Sequence, residues 1–409
     1  MDSMKVLFGE DEVGTLLKND YGDLEFEYSQ EWQVLGQNIP ISLSLPLSKQ
    51  IDQKKAKYFF GNLLPEGLAR ENICRKHRIA FDDDYELLKL IGSECAGVLR
   101  IIEEGSASYS TEAENVYNLQ ELRKIAKTGV VQSKSSENLV QRFSLAGAQN
   151  KLAGIYVSEH LRIPISGVPS THFVKFDRLP YKHVSWNEAY TTYIARRLGY
   201  EVVEIQPQDG FSIIKRYDRE VDLKTKQVQR LHQEDFCQIL GISSKNKYQN
   251  DGGPSLARVA EVVRKYSSDP LRDIDRLIRH TVYNVLSGNS DGHSKNLSLI
   301  YGKDFKSKRI APFYDLVCTR VYAGVPREMA FSIGNQYDPD KVTTKNWQDQ
   351  AVMMKVDRNA FLKVLATTDQ ALRAHLKKWT SEFQEKFGSQ PLIEQIKKQF
   401  EQNLHRIRN

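Results

Sequence analysis

Apolar and polar residues alternate with a period of two in three short runs near the start of the chain: Met4 to Phe8, Leu24-Glu25-Phe26-Glu27-Tyr28 and Ile41-Ser42-Leu43-Ser44-Leu45. Gly, Asp and Pro separate them, so three short strands of a small antiparallel unit are predicted, each with one face on a core. From Lys57 to Ile79 and from Tyr85 to Ile91 the spacing becomes largely helical, and Asp82-Asp83-Asp84 reads as the cap of the second helix rather than a metal site. Glu103 to Asn115 (EEGSASYSTEAEN) is poor in large apolar residues and is assigned as a linker. Beyond it, Phe143 to Tyr156, Thr171 to Phe176 and Phe211 to Tyr217 read as strands, with an amphipathic helix over Asn187 to Leu198. From about Gln233 the pattern is mostly helical. Leu271, Ile274, Leu277, Ile278, Val282 and Val285 share one face of a helix that runs into Asp291. Arg358 to Asn409 is helical with basic exposed positions, the pattern of a solvated face.

With 409 residues, 40% of them hydrophobic, the chain can fill the cores of two or three units. Its 58 basic and 52 acidic residues leave a charge of +6, too mild to announce a nucleic-acid binder, though compatible with an acidic partner. Cys74, Cys95, Cys237 and Cys318 are widely spaced, with no CxxC pair. Neither a disulfide framework nor a zinc site is expected, and a reducing cytoplasm fits best. The N-terminal run MDSMKVLFGEDEVG has no apolar stretch of signal length, and no run of about 18 apolar residues occurs, so neither export nor a membrane contact is expected.

The candidate chemistry lies at Asp291-Gly292-His293-Ser294-Lys295-Asn296 and, nineteen residues past the Asn, at Tyr314-Asp315. Phosphoryl transfer needs a carboxylate to orient and deprotonate the acceptor hydroxyl, an Asn oxygen five residues on to ligate magnesium, and a later Asp to hold the metal against the phosphates. Asp291, Asn296 and Asp315 offer these groups in that order. Taken singly, Asp-Gly is also a common turn pair and Asp315 an ordinary strand-end carboxylate. Gly288-Asn289-Ser290-Asp291-Gly292 satisfies the hydrolase nucleophile-elbow pattern with Ser290 as nucleophile. That elbow needs a strand entering and a helix leaving, whereas a long helix enters here and the strand-like Leu297-Ser298-Leu299-Ile300 leaves. No Walker A sequence and no Gly-x-Gly-x-x-Gly loop occurs. The best phosphate cradle is FSLAGAQNK, Phe143 to Lys151, where Ala146, Gly147 and Ala148 let backbone N–H groups approach phosphate oxygens. Lys175, on an apolar strand, is a candidate phosphate-pairing lysine, with Glu188 as its possible ion-pair partner. Strand lysines more often point to water, and a helix-start carboxylate needs no such role.

Taken in order, FFGNLLPEGLAR, FSLAGAQNK, THFVKF, RLHQEDFCQILG, KYQNDGGPSLARV, GNSDGHSKN and APFYDLVC resemble the HipA family of toxin serine/threonine kinases, over nearly the whole chain. The resemblance implies an α+β, kinase-like bilobal fold: an N-terminal subdomain over 1–105, a β-rich N-lobe over 106–220 and a mainly helical C-lobe over 221–409, with ATP and Mg2+ between the lobes. It implies Asp291 as catalytic base, Asn296 and Asp315 as magnesium ligands and Lys175 as the phosphate-binding lysine. By the same resemblance, Ala146, Gly147, Ala148, Gln149, Asn150 and Lys151 wrap the phosphates, and Lys215-Arg216-Tyr217 is the hinge at adenine. His293, Ser294, Lys295 and Asn296, with Tyr314 and Asp315, line the nucleotide site. Ser144 matches the position such kinases phosphorylate on themselves, which expels the loop and switches the kinase off; the added charge beside a polyanion site agrees with that outcome.

Asn150 and Lys215 depart from the family pattern, where these positions are often acidic; the departure bears on nucleotide affinity more than on reaction type. The implied partners are a HipB-like helix-turn-helix antitoxin, operator DNA reached mainly through it, and a protein substrate, in this family typically an aminoacyl-tRNA synthetase. A catalytically silent corepressor acting with its antitoxin is the alternative, and the complete set of Asp291, Asn296 and Asp315 argues against it.

Overall fold

Met4, Val6 and Phe8 alternate inward along Ser3–Phe8 and seed a four-stranded antiparallel sheet in the order Leu24–Tyr28, Asp11–Lys18, Ser3–Phe8, Leu99–Glu103. The computed structural model describes residues 2–35, 39–47, 50–103, 115–129, 146–147, 149–163, 168–177, 180–222, 224–225 and 227–406. Two of the three strands expected at the start form. Asp11–Lys18 was not expected, because charged residues open it and Gly14 interrupts its alternation. That glycine is required by the pairing: a Cβ there would lie 2.1 Å from the Glu27 carbonyl oxygen. Ile41–Leu45 is not a strand. It forms a buried turn closed by a Ser42–Leu45 bridge and by the Tyr28 hydroxyl, which donates to Leu45 O at 2.6 Å.

The helix expected over Lys57 to Ile79 is two, Gln53–Gly61 and Gly67–His77, broken around Pro65, which has no N–H to continue the first. Asp83 caps Asp84–Ile91 by accepting from Glu86 N at 3.1 Å, as the acidic triplet suggested. Most of the expected linker lies outside the described residues.

The chain divides into two compact units. The first comprises Met1–Arg178, Ile213–Ser244 and Ile300–Lys306. It holds the four-stranded sheet, with Val6, Leu16, Phe26, Phe59, Phe60, Leu88 and Ile101 in its core. Its second sheet runs in the order Asn115–Asn118, His160–Ile163, Lys151–Val157, His172–Phe176, followed by the strand ending at Lys215.

The second unit comprises Leu179–Ser212, Lys245–Leu299 and Ser307–Asn409 and is mainly helical. Val184–Arg197, Pro270–Ser287, Ala360–Phe387 and Pro391–Arg406 pack through Tyr190, Tyr283, Phe383 and Phe400. Pro270–Ser287 has the expected inward face from Ile274 on, but Leu271 is 87% exposed. Asp273 takes the buried place in that first turn, accepting from Ser267 Oγ at 2.6 Å and Ile310 N at 3.0 Å. All four cysteines are free and buried. Among the described residues no helix is long and apolar enough to cross a membrane.

Candidate active site

In the second unit, the helix Pro270–Ser287 ends at Gly288, whose φ of 71° is the left-handed turn that lets the chain leave sharply. Asn289 Oδ1 then accepts from Asp291 N at 3.0 Å, and Asn289 Nδ2 donates to Asn284 Oδ1 at 3.1 Å. Thr319 Oγ1 accepts from Ser290 N at 2.9 Å and donates to Gly288 O at 3.1 Å. A Cβ on Gly292 would lie 2.4 Å from Asn284 Nδ2, so this loop approaches the helix as closely as a glycine allows. Asn284 in turn contacts His280, 3.3 Å away, which burial and the neighbouring Arg276 push down to about 3, leaving a neutral ring.

This loop holds the expected trio's first two members in a fixed relation. Asn296 Nδ2 donates to the Asp291 carbonyl at 2.9 Å, which leaves its amide oxygen as the group available to a cation. The Asp291 side chain is 53% exposed, and its Oδ1 accepts from the Tyr248 hydroxyl and lies 3.8 Å from His293 Nε2. His293, Ser294, Lys295 and Asn296 are all buried; the Ser294 hydroxyl donates to Lys247 O at 2.8 Å.

Asp315 is brought to the same loop by its neighbour. The Tyr314 hydroxyl donates to Lys295 O at 2.8 Å. Behind Asp315, the Asn187 amide takes both backbone groups of Cys318, donating to its carbonyl at 2.9 Å and accepting from its N–H at 2.8 Å. Thr191 Oγ1 donates to Leu316 O. Asp315 itself has φ 52°, a left-handed conformation that costs a non-glycine residue and persists only where the surroundings over-determine it. Asn187 and Thr191 lie one helical turn apart on Val184–Arg197, a spacing visible in the sequence, though nothing local says what they hold.

In the first unit, the described part of the small-residue loop is anchored at both ends. Lys151 Nζ donates to Ala146 O at 2.6 Å, and Gly147, at φ 114°, bridges in parallel to Pro65, its carbonyl accepting from Glu66 N at 3.0 Å. The Asn150 carbonyl accepts from Phe176 N at 3.1 Å, and Gln149 precedes it at intermediate burial. Lys175 is buried on His172–Phe176, directly opposite Lys151 in the sheet register. Ser144 and Ala148 lie outside the described residues.

The expected hinge, Lys215-Arg216-Tyr217, splits in character. Lys215 is exposed, and the Tyr217 hydroxyl is bound to Gln233. Arg216 points into a buried charge cluster: it meets Glu94 at 2.7 Å and Asp218 at 2.8 Å, while Arg219 and Arg230 each reach Glu94 at 3.2 Å. Burial opposes ionisation of Asp218, yet Arg216 and Arg219 hold it well below the usual carboxylate range. The Arg216 side chain is therefore committed inside the first unit, which leaves its backbone as the part of Arg216 that a ligand could meet. Ser290 does not sit on a nucleophile elbow: a helix, not a strand, leads into it, and its hydroxyl donates to Arg327 O at 3.1 Å.

Among the described residues no cluster of three or more His, Cys, Asp or Glu is placed to hold a metal. Asn296 and Asp315 offer oxygen donors only, and magnesium, which commonly takes one or two protein oxygens and completes its shell with water and phosphate, fits such a pair.

The family model described as the HipA-like C-terminal domain matches residues 143–379, and that described as the HipA N-terminal domain matches residues 4–102. A Sinorhizobium fredii protein named "Putative kinase Y4mE" is 30% identical over 346 residues, covering 82% of each chain. The "Serine/threonine-protein kinase toxin HipA" of Shewanella oneidensis is 25% identical over 366 residues, covering 84% of this chain and 82% of its own. The fold matches that of Shewanella oneidensis HipA, solved with HipB and operator DNA, with a TM-score of 0.82 at 22% identity, over 99% of this chain and 97% of that one. The α+β kinase-like fold expected from the sequence is the fold found.

Proposed function

Because the chain belongs to the HipA kinase family, we propose that it is an ATP- and magnesium-dependent serine/threonine protein kinase acting as the toxin of a toxin–antitoxin pair. In this reading Asp291 accepts the proton of the acceptor hydroxyl as its oxygen bonds to the γ-phosphorus and ADP leaves. Asn296 and Asp315 hold the magnesium ion, which neutralises phosphate charge when bound. Lys175, Lys151 and the loop from Ala146 to Asn150 meet the phosphates, and the backbone of Lys215 to Tyr217 meets adenine. His293 to Lys295 and Tyr314 shape the pocket around them.

The observation that carries this reading is the coupling, within one unit, of the three groups phosphoryl transfer requires. Asn296 is bonded to the Asp291 carbonyl, and Tyr314, the neighbour of Asp315, is bonded to the Lys295 carbonyl. The finer parts of the proposal follow from the family. Ser144 is the autophosphorylated residue whose modification switches the enzyme off. The substrate is a translation-related protein, an aminoacyl-tRNA synthetase, whose phosphorylation arrests growth. A HipB-like helix-turn-helix antitoxin neutralises the chain and carries it to operator DNA.

The test is intact mass and peptide mapping of the purified chain after incubation with Mg-ATP, beside Asp291→Asn. A phosphate on Ser144 in the wild type alone supports an active, self-inactivating kinase. Absence of both phosphate and nucleotide binding would replace this reading with that of a silent corepressor.

A further inference from the structure

Tyr248 has no role in the reading above, yet its hydroxyl donates to Oδ1 of Asp291. We infer that Tyr248 is a positioning residue for phosphoryl transfer, fixing the Asp291 carboxylate so that Oδ2 faces the acceptor hydroxyl; this rests on Asp291 being the base.

The surroundings of Tyr248 fit that task. Its carbonyl accepts from Asp251 N at 3.1 Å and Gly253 N at 2.9 Å, closing a tight turn. Gly253 is needed there, because a Cβ would lie 2.4 Å from Asn246 O and 2.6 Å from Tyr248 O. On one side of Tyr248, Lys247 O accepts from the Ser294 hydroxyl at 2.8 Å. On the other, Gln249 donates from its backbone to Ala330 O at 3.0 Å, and its side chain brackets Ser332 at 2.9 and 3.1 Å. The Tyr248 ring stands edge-on to His293 with centroids 5.2 Å apart. Backbone, neighbours and ring are thus all held, and the one polar atom of the side chain is delivered to the carboxylate.

The need for such a device follows from exposure. A carboxylate that is 53% exposed, as Asp291 is, turns freely in water unless something holds it. His293 Nε2, at 3.8 Å, is too far for a hydrogen bond, so among the described residues the Tyr248 hydroxyl is the side-chain donor placed to set the rotamer. A base held within a few tenths of an ångström of its productive place keeps the advantage of orientation that a swinging one loses.

The test uses the full chain with γ-labelled ATP, following transfer to the chain itself and to casein as a generic acceptor. It compares wild type, Tyr248→Phe, Asp291→Asn and the double variant. Tyr248→Phe keeps the ring against His293 and removes only the hydroxyl. The expected result is a fall in kcat of roughly 10–100-fold, the scale of a hydrogen bond to a charged group, with KM for ATP unchanged. In the Asp291→Asn background the same substitution is expected to cost nothing further, a non-additivity that a merely structural role would not give. Wild-type turnover in Tyr248→Phe, or an equal loss in both backgrounds, would overturn the role of Tyr248 while leaving the kinase reading intact. Undiminished transfer by Asp291→Asn would overturn the role of Asp291 as base, and this inference with it, while no transfer by the wild type to either acceptor would overturn the kinase reading on which both rest.

Discussion

The hydroxyl of Tyr314 donates to the carbonyl oxygen of Lys295 at 2.8 Å and shares a second hydrogen bond with Ser298 Oγ at 2.7 Å. Residues immediately preceding the two candidate magnesium ligands are thus joined directly, so Asn296 and Asp315 cannot drift apart without breaking it. Tyr314→Phe is expected to weaken Mg-ATP binding by roughly fivefold, the equivalent of one net hydrogen bond of about 1 kcal/mol. Titration calorimetry with Mg-ATP checks this; unchanged affinity would show that the tie is incidental.

Gly292→Ala places a methyl group against Asn284, whose amide is already engaged with Asn289 and His280. The loop must shift to admit it. A displacement of about 1 Å at a catalytic group costs up to about 10²-fold, so turnover is expected to fall by at least roughly tenfold while circular dichroism is unaltered. A variant with full activity would mean that the Asn284 side chain yields instead.

Removing Glu94 would leave Arg216 and Arg219 with Asp218 as their paired carboxylate and would take from buried Arg230 the carboxylate it meets. Breaking a buried ion pair from one side costs about 3–5 kcal/mol. Glu94→Ala is therefore expected to lower the urea midpoint strongly, and Glu94→Gln, which keeps the volume and one acceptor oxygen without the charge, to lower it less.

Glu234 is buried and accepts from Ser42 Oγ, from Leu43 N at 3.2 Å and from the Tyr301 hydroxyl. Burial outweighs these bonds and pushes its carboxyl up to about 7 from 4.5. Between those two values the folded state keeps a proton that the unfolded state has lost. This group's contribution is therefore full below pH 4.5 and is lost as pH rises through about 7. Relative to wild type, Glu234→Gln should gain stability from pH 5 to pH 8, by up to about 3 kcal/mol, measured as the pH dependence of the unfolding free energy. A pH-independent difference would count against it.

What the sequence made legible was local. The spacing of Asp291 to Asn296 is a property of one loop, and the helix leading into it shows its face over several turns from Ile274 onward. The family and its fold emerged from seven ordered motifs. The strand Asp11–Lys18 was hidden because Gly14, needed for close approach of another backbone, erased its alternation. Leu271 misled because Asp273, a polar residue satisfied only by partners such as Ile310, holds the buried place in its turn. Other pairings between residues far apart in sequence had no local signature. The pairing of Glu94 with Arg216 spans 122 positions, and that of Tyr248 with Asp291 spans 43. The motif carrying Tyr248 was visible, but a tyrosine before two glycines does not announce which carboxylate it will meet.

The bridge from Gly147 to Pro65 and Glu66 bears on how the gene could be divided. Matches to residues 4–102 and 143–379 invite treating the two stretches as exchangeable modules. Yet Glu66 from the first donates to the backbone of the glycine loop in the second, Ser42 and Leu43 reach Glu234, and Glu94 gathers Arg216, Arg219 and Arg230. A graft that swapped the first hundred residues for those of a distant relative would therefore have to bring matching partners for Gly147, for Glu234 and for Arg216, Arg219 and Arg230.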